Sequence, residues 1–230
     1  MIGTNVKGSR KLFWKNVRQE CERLLEDHLK LSPWELLTAM QAISIYILIR
    51  LDEGATEEND FDSLLLAAVS AMSKQLGCYD LIRRSQITDH APSLDQEWED
   101  WIFEESERRL CVIYRVVNLL VYFDPAAMCD LSSDFVIAPL PAKKGLWEAN
   151  DEVSWHVENR RVSKPQPPFG LTKKGQVVKL TGVEPHHMHY LPGNQTLNIS
   201  KSESAENWEE WCSGMDGLGG LVMLAASLIA

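Results

Sequence analysis

At 230 residues, with 45% hydrophobic and 24% charged residues, the chain can bury a sizeable core, which excludes global disorder. Its formal net charge of −10 argues against a protein that holds nucleic acid by itself, because phosphate binding needs clustered Lys and Arg. The five cysteines (Cys21, Cys78, Cys111, Cys129, Cys212) are scattered and form no C-x-x-C pair, so they spell neither a zinc site nor a disulfide framework. With no apolar signal region at the start, they are expected as reduced thiols of an intracellular protein, and the sequons at Asn194 and Asn198 as idle.

A first helix is predicted from Ser9 to about Leu31, with Leu12, Phe13, Val17, Cys21, Leu24, Leu25 and Leu29 on one stripe at three- and four-residue steps. Its basic start, "VKGSRKLFWKNVR", reads as a solvated helix face. "LSPWELL" opens a second helix, with Ser32 as N-cap, Pro33 at the first helical position and Glu35 completing a capping box. Its body, "LLTAMQAISIYILIRL", is apolar nearly all round but falls short of the ~20 residues a bilayer needs. A fully buried central helix is therefore expected. "DEGATEENDFD" is an acidic surface loop, and a third helix from about Phe61 ends at Gly77.

A fourth, long helix starts at "SLDQEWEDW", capped by Asp95 or Ser93, and runs to Phe123 before Asp124-Pro125 stops it. Trp98 and Trp101 share a face of its first turns, with Glu99 and Asp100 between them; "NWEEW", Asn207 to Trp211, nearly repeats the pattern with Trp208 and Trp211. Acids in a first turn gain ~0.3–1 kcal/mol each from the helix dipole, and the indoles supply buried area. Both pairs thus read as helix starts anchored by Trp, the second capped by Asn207. "DFVIAPLPAKKGLWEANDEVSW" reads as an extended loop, then a short helix near Leu146 to Ala149 and another from about Asp151. Residues 163–204 read as a polar, Pro-containing loop or linker in which "GQVVKLTGV" can form a short strand, and 205–230 as a C-terminal helix packing on a core formed by 1–162.

Candidate chemistry is sparse. Glu104 and Glu105 precede Arg108 and Arg109 by four residues each, a spacing that makes surface ion pairs worth ~0.3–0.5 kcal/mol rather than an acid–base dyad. His186, His187 and His189 sit on a loop with no carboxylate or Cys at a fixed offset, so they read as polar loop. "GLGG" at Gly217 precedes an apolar run instead of following a strand, which argues against a phosphate loop. The apolar ending "GLGGLVMLAASLIA" reads as a core helix and not as a lipid-anchor signal.

At "EDWIFEESERRLCVIYRVVNLLVYFDPAAMCDL…FVIAPLPAKKGLWEA", followed by Trp155, the chain resembles the fungal-specific transcription factor regulatory region, the helical domain that lies C-terminal to zinc-finger DNA-binding modules. The resemblance extends from "PWELLTAMQAISIYILIRL" to "WEEWCSGMDGLGGLVMLAASLIA". It implies an all-α fold, a nuclear, non-enzymatic role in transcription regulation without cofactor or metal, and protein partners such as full-length relatives or transcription machinery. A small-molecule effector fits the same picture, as do target genes of secondary metabolism. Trp98, Trp101, Glu105, Arg108, Arg109, Trp147, Trp155, Trp208 and Trp211 then form a structural signature. The chain departs from the family in having neither a six-cysteine zinc cluster nor a two-cysteine two-histidine finger, so direct DNA binding is not expected of it. The rival reading is a small-molecule-binding helical protein or biosynthetic enzyme with an internal cavity.

Overall fold

The computed structural model describes residues 3–53, 60–85, 94–121, 136–161, 169–172, 177–179 and 204–229. The fold is all-α: helices α1 (Gly3–Asp27), α2 (Pro33–Glu53), α3 (Asp60–Ser85), α4 (Leu94–Val121), α5 (Lys144–Trp147), α6 (Glu152–Arg161), α7 (Ser204–Cys212) and α8 (Gly217–Ile229) carry the described chain. One small antiparallel sheet accompanies them, with β1 (Val136–Pro139), β2 (Phe169–Thr172) and β3 (Val177–Lys179) in that order. The chain divides into two compact units, Met1–His90 and Ala91–Ala230.

In the first unit α1 and α2 pack on α3. The capping box of α2 forms as the sequence spells it. Ser32 donates its backbone N–H and its hydroxyl to Glu35 Oε2, both at 2.8 Å, and Glu35 N–H reaches back to Ser32 Oγ at 3.4 Å. Leu36, Leu37, Met40, Ile43 and Ile47 of α2 are buried, as are Leu65, Met72 and Leu76 of α3. On the first helix Val17, Cys21 and Leu24 are buried, but Leu12 and Leu29 are not; they are 59% and 66% exposed. The helix also stops earlier than the apolar pattern suggested, at Asp27, and His28–Lys30 tighten into a 3-10 turn.

Two further expectations change. First, α2 is not buried on all sides. By length and composition it is apolar enough to cross a membrane, yet one face packs on α3 while Trp34, Ile45 and Leu48 are exposed. It is the core helix of the first unit. Second, α3 runs straight through Gly77 to Ser85. A helix-interior glycine costs ~1 kcal/mol relative to alanine. Here Gly77 is buried, and two residues on the Tyr79 hydroxyl donates to Leu31 O at 3.1 Å, so packing holds the helix where the local signal says stop.

The second unit is built on α4. Its core joins Val112 and Val116 of α4, Leu140 after β1, Phe169 of β2, Val177 of β3, Trp211 of α7 and Val222 of α8. β1 pairs with β2 (Ala138 opposite Leu171, Pro139 opposite Gly170) and β2 with β3 (Phe169 opposite Lys179, Leu171 opposite Val177). Residues 136–139, read as loop, are thus a strand. Within 163–204, β2 and β3 replace linker with sheet that feeds the core; the strand foreseen in "GQVVKLTGV" is β3. The C-terminal stretch is two helices rather than one, α7 and α8. The histidines at 186, 187 and 189 and Cys129 lie outside the described residues.

Candidate functional site

Of the residues singled out from the sequence, Arg108, Arg109 and, through Arg109, Trp147 meet at Glu105 in the second unit. On α4, Trp101, Glu105 and Arg108 lie at i, i+4 and i+7, and therefore on one face. Glu105 is fully buried, not at the surface. Its Oε1 accepts the Arg109 Nε–H at 2.8 Å and the Ala142 backbone N–H at 2.9 Å, and its Oε2 accepts Arg108 Nη1. The surface ion pair expected between Glu105 and Arg109 is instead an interior one, and Glu105 binds the i+3 arginine as well. A buried carboxylate is stable only with such partners, since desolvation costs several kcal/mol per ion.

Arg109 extends the network. Its Nη1 donates to Asp216 Oδ2 at 2.6 Å, and its guanidinium carbon lies 4.1 Å from the centre of the Trp147 ring on α5. Asp216 in turn caps α8, its Oδ1 accepting the amides of Leu218 at 3.0 Å and Gly219 at 3.2 Å. Burial alone would raise the Asp216 carboxyl. The Arg109 hydrogen bond and the two α8 amides outweigh it and hold the group below the ordinary carboxylate range. The "GLGG" helix start is thus already filled by a carboxylate of the chain itself.

The tryptophans fall into two groups. Trp101 packs on buried Trp155 of α6 with ring centres 5.5 Å apart, and Trp208 packs on Trp211 at 5.7 Å. Trp211 donates its Nε1–H to Pro141 O at 3.3 Å, while Lys144 N–H reaches Gly214 O at 2.7 Å. The "PLPAKKG" segment is thereby fixed between α4 and the α7–α8 turn. A Cβ on Gly214 would lie 2.8 Å from Lys143 Cγ and Cδ, so the lysine side chain would have to shift to admit one. Trp98 is half-buried a full turn inside α4, not at its start. Asn207 likewise lies inside α7 rather than capping it; it is buried and donates Nδ2–H to Val177 O at 3.3 Å.

Sequence reasoning missed Asp216, Ala142 and Gly214. Asp216 had a readable signal, an Asp just ahead of an apolar helical run. Ala142 and Gly214 act through backbone atoms and leave no side-chain mark.

The arrangement offers structure more than reactivity. The acceptors of Glu105 and Asp216 are taken up by arginines and amides of the same chain. Arg109 Nη2, Arg108 Nε and Trp155 Nε1 are buried without a hydrogen-bond partner among the described residues. The space lined by Pro141, Trp211, Asp216 and Gly219 measures about 10 Å³, room for about one water molecule. No group of His, Cys, Asp or Glu suited to a metal ion occurs among the described residues.

Comparison with known proteins gives a single direction. The chain is 27% identical over 154 residues to transcription factor gsfR2 of Penicillium aethiopicum, a match that covers 63% of this chain and 36% of that protein. The chain thus matches little more than a third of the length of that relative. No protein-family model matches, and no solved structure does.

Proposed function

We propose that these 230 residues form a transcription-regulatory domain of the fungal transcription factor type, nuclear and non-enzymatic, that acts through protein partners and does not itself bind DNA. The observation that carries this reading is its similarity to a protein named a transcription factor. Three features support it. The network around Glu105 spends its charged groups on holding α4, Ala142, α5 and the start of α8 together, which suits a scaffold better than a catalyst. The net charge of −10 disfavours unaided DNA binding. Within these 230 residues there is no zinc-cluster cysteine pattern. Its partners are full-length relatives or the transcription machinery, and its target genes those of a secondary-metabolite cluster.

The experiment is a tethering assay. Fused to an unrelated DNA-binding domain at a reporter promoter in a fungal host, the chain should change transcription, and the free chain should not shift promoter DNA at physiological salt. An unchanged reporter at full protein level rejects the regulatory reading, and a shift of DNA by the free chain rejects action through partners alone. Transcript profiling of a deletion strain tests the target class: loss of expression from a contiguous biosynthetic cluster is expected, and unaltered clusters would overturn that part.

A further inference from the structure

The charge of the chain is unevenly placed. All 33 acidic residues come after Gln19, while Lys7, Arg10, Lys11, Lys15 and Arg18 come before it. This segment is helical, in α1. At ~100° per residue, Arg10, Lys11, Lys15 and Arg18 fall within an arc of about 140°. Two of the four, on one side of that arc, are held by the first unit. Arg10 Nε donates to Glu53 at 2.6 Å, and the Arg18 guanidinium lies 5.4 Å from the centre of the Phe61 ring. Trp14 Nε1 also donates to the Glu53 carboxylate, at 2.9 Å, so the helix is clamped in rotation as well as position.

Lys11 and Lys15, on the other side of that arc, are exposed and have no anionic partner among the described residues. They stand one turn apart on the same face, where like charges repel. Gly8 lies three and seven residues before them and four before Leu12, which is 59% exposed. A Cβ at Gly8 would meet nothing within 4 Å, so nothing in the chain's own packing calls for a glycine in this helix. Its effect is a shallow dent in the helix surface, bordered by Leu12 and flanked by two ammonium groups. Phe13, 36% exposed, lies on the far side of Leu12.

We propose that this lane, Gly8–Lys11–Leu12–Lys15, docks an acidic amphipathic segment of a partner protein. The partner's carboxylates meet Lys11 and Lys15, and an apolar side chain seats over Gly8 against Leu12. Charge complementarity and the apolar seat together select this occupant. A nucleic-acid backbone would use the lysines but leave Leu12 against phosphate, and the acidic remainder of the chain would repel it. An anionic membrane would need the wide apolar face of α1, but Val17, Cys21 and Leu24 on that face are buried. The inference stands apart from the regulatory reading, because any acidic peptide partner satisfies it.

The test uses the full chain and a fluorescein-labelled synthetic peptide with Glu and Asp on one helical face and Leu and Phe on the other. A scrambled peptide, a labelled DNA duplex and phosphatidylserine vesicles serve as the other arms. Saturable binding of the amphipathic peptide is expected, weakened roughly fivefold or more on going from low to physiological salt. Lys11→Glu with Lys15→Glu should weaken it about tenfold, and Leu12→Ser alone about threefold. All three substitutions are at exposed positions, so an unchanged melting temperature is expected and excludes misfolding as the cause. Absence of peptide binding, binding unaffected by the variants, or equal affinity for the scrambled peptide, the duplex or the vesicles would overturn the proposal.

Discussion

Arg109 and Asp216, 107 residues apart in sequence, are joined by a 2.6 Å contact between Nη1 and Oδ2. Because the same guanidinium also binds Glu105 and covers Trp147, one side chain ties α4 to α5 and to the start of α8. Arg109→Ala should therefore leave Asp216 without its cation and fully buried Glu105 with Arg108 alone, at a cost of roughly 3 kcal/mol. Arg109→Lys should also destabilise the fold, since a single ammonium cannot reproduce the planar fork. Urea unfolding followed by Trp fluorescence measures both; a parental midpoint for Arg109→Ala would refute the account.

Asp216 makes stability depend on acid. Its carboxyl titrates below the ordinary range in the folded chain, against about 3.9 when unfolded. A depressed pKa contributes stability that is complete above the unfolded value and is lost as pH falls through the folded one. Asp216→Asn should thus be less stable than the parent at neutral pH, and the gap should close below about pH 4. A gap that stays constant with pH would argue against this role.

The glycines of α8 should respond in opposite directions. A Cβ on Gly219 would come within 2.5 Å of Met215 Cβ, whereas Gly217 and Gly220 face open space. Gly219→Ala is expected to lower the melting temperature, because an atom so near the backbone cannot swing aside. Gly220→Ala should raise stability by ~0.5–1 kcal/mol. Calorimetry on the two variants decides between a helix that needs its glycines for packing and one that does not.

How much of this was legible depends on how local each signal is. The Ser32–Glu35 box and the Asp151 cap of α6, whose carboxylate accepts Ser154 N–H at 2.8 Å, are set within four residues and can be read from the sequence. The Glu105–Arg109 spacing was legible too, but i,i+4 pairs look alike whether buried or exposed. The partner that marks Glu105 as interior is the Ala142 amide, 37 residues on, so its position could not be seen locally. Strands β1 and β2 have four residues each, too few for a period of two to stand out, and Pro139 sits at the end of one. The long helices were correct in kind and wrong at their ends, because α3 continues past Gly77 on the strength of tertiary packing.

Thiol chemistry offers a check on the first unit. Burial, with the charges of Glu20 and Glu22 beside it, pushes the Cys21 thiol up to about 11, whereas Cys78 is exposed. At mildly alkaline pH iodoacetamide should modify Cys78 in the native protein and Cys21 only after unfolding. Peptide mapping by mass spectrometry reads the order; early labelling of Cys21 would contradict its burial.

The long separation of Arg109 and Asp216 also bears on synthesis. At ~5–20 residues per second the ribosome releases Asp216 roughly 5–20 s after Arg109. The segments of the first unit are complete well before that and can fold as they emerge. The second unit must hold two arginines and a carboxylate of α4 in water until its last partners arrive. Its folding is therefore a late, collective event, and a pause or truncation before Asp216 would leave a finished first unit beside an open second one.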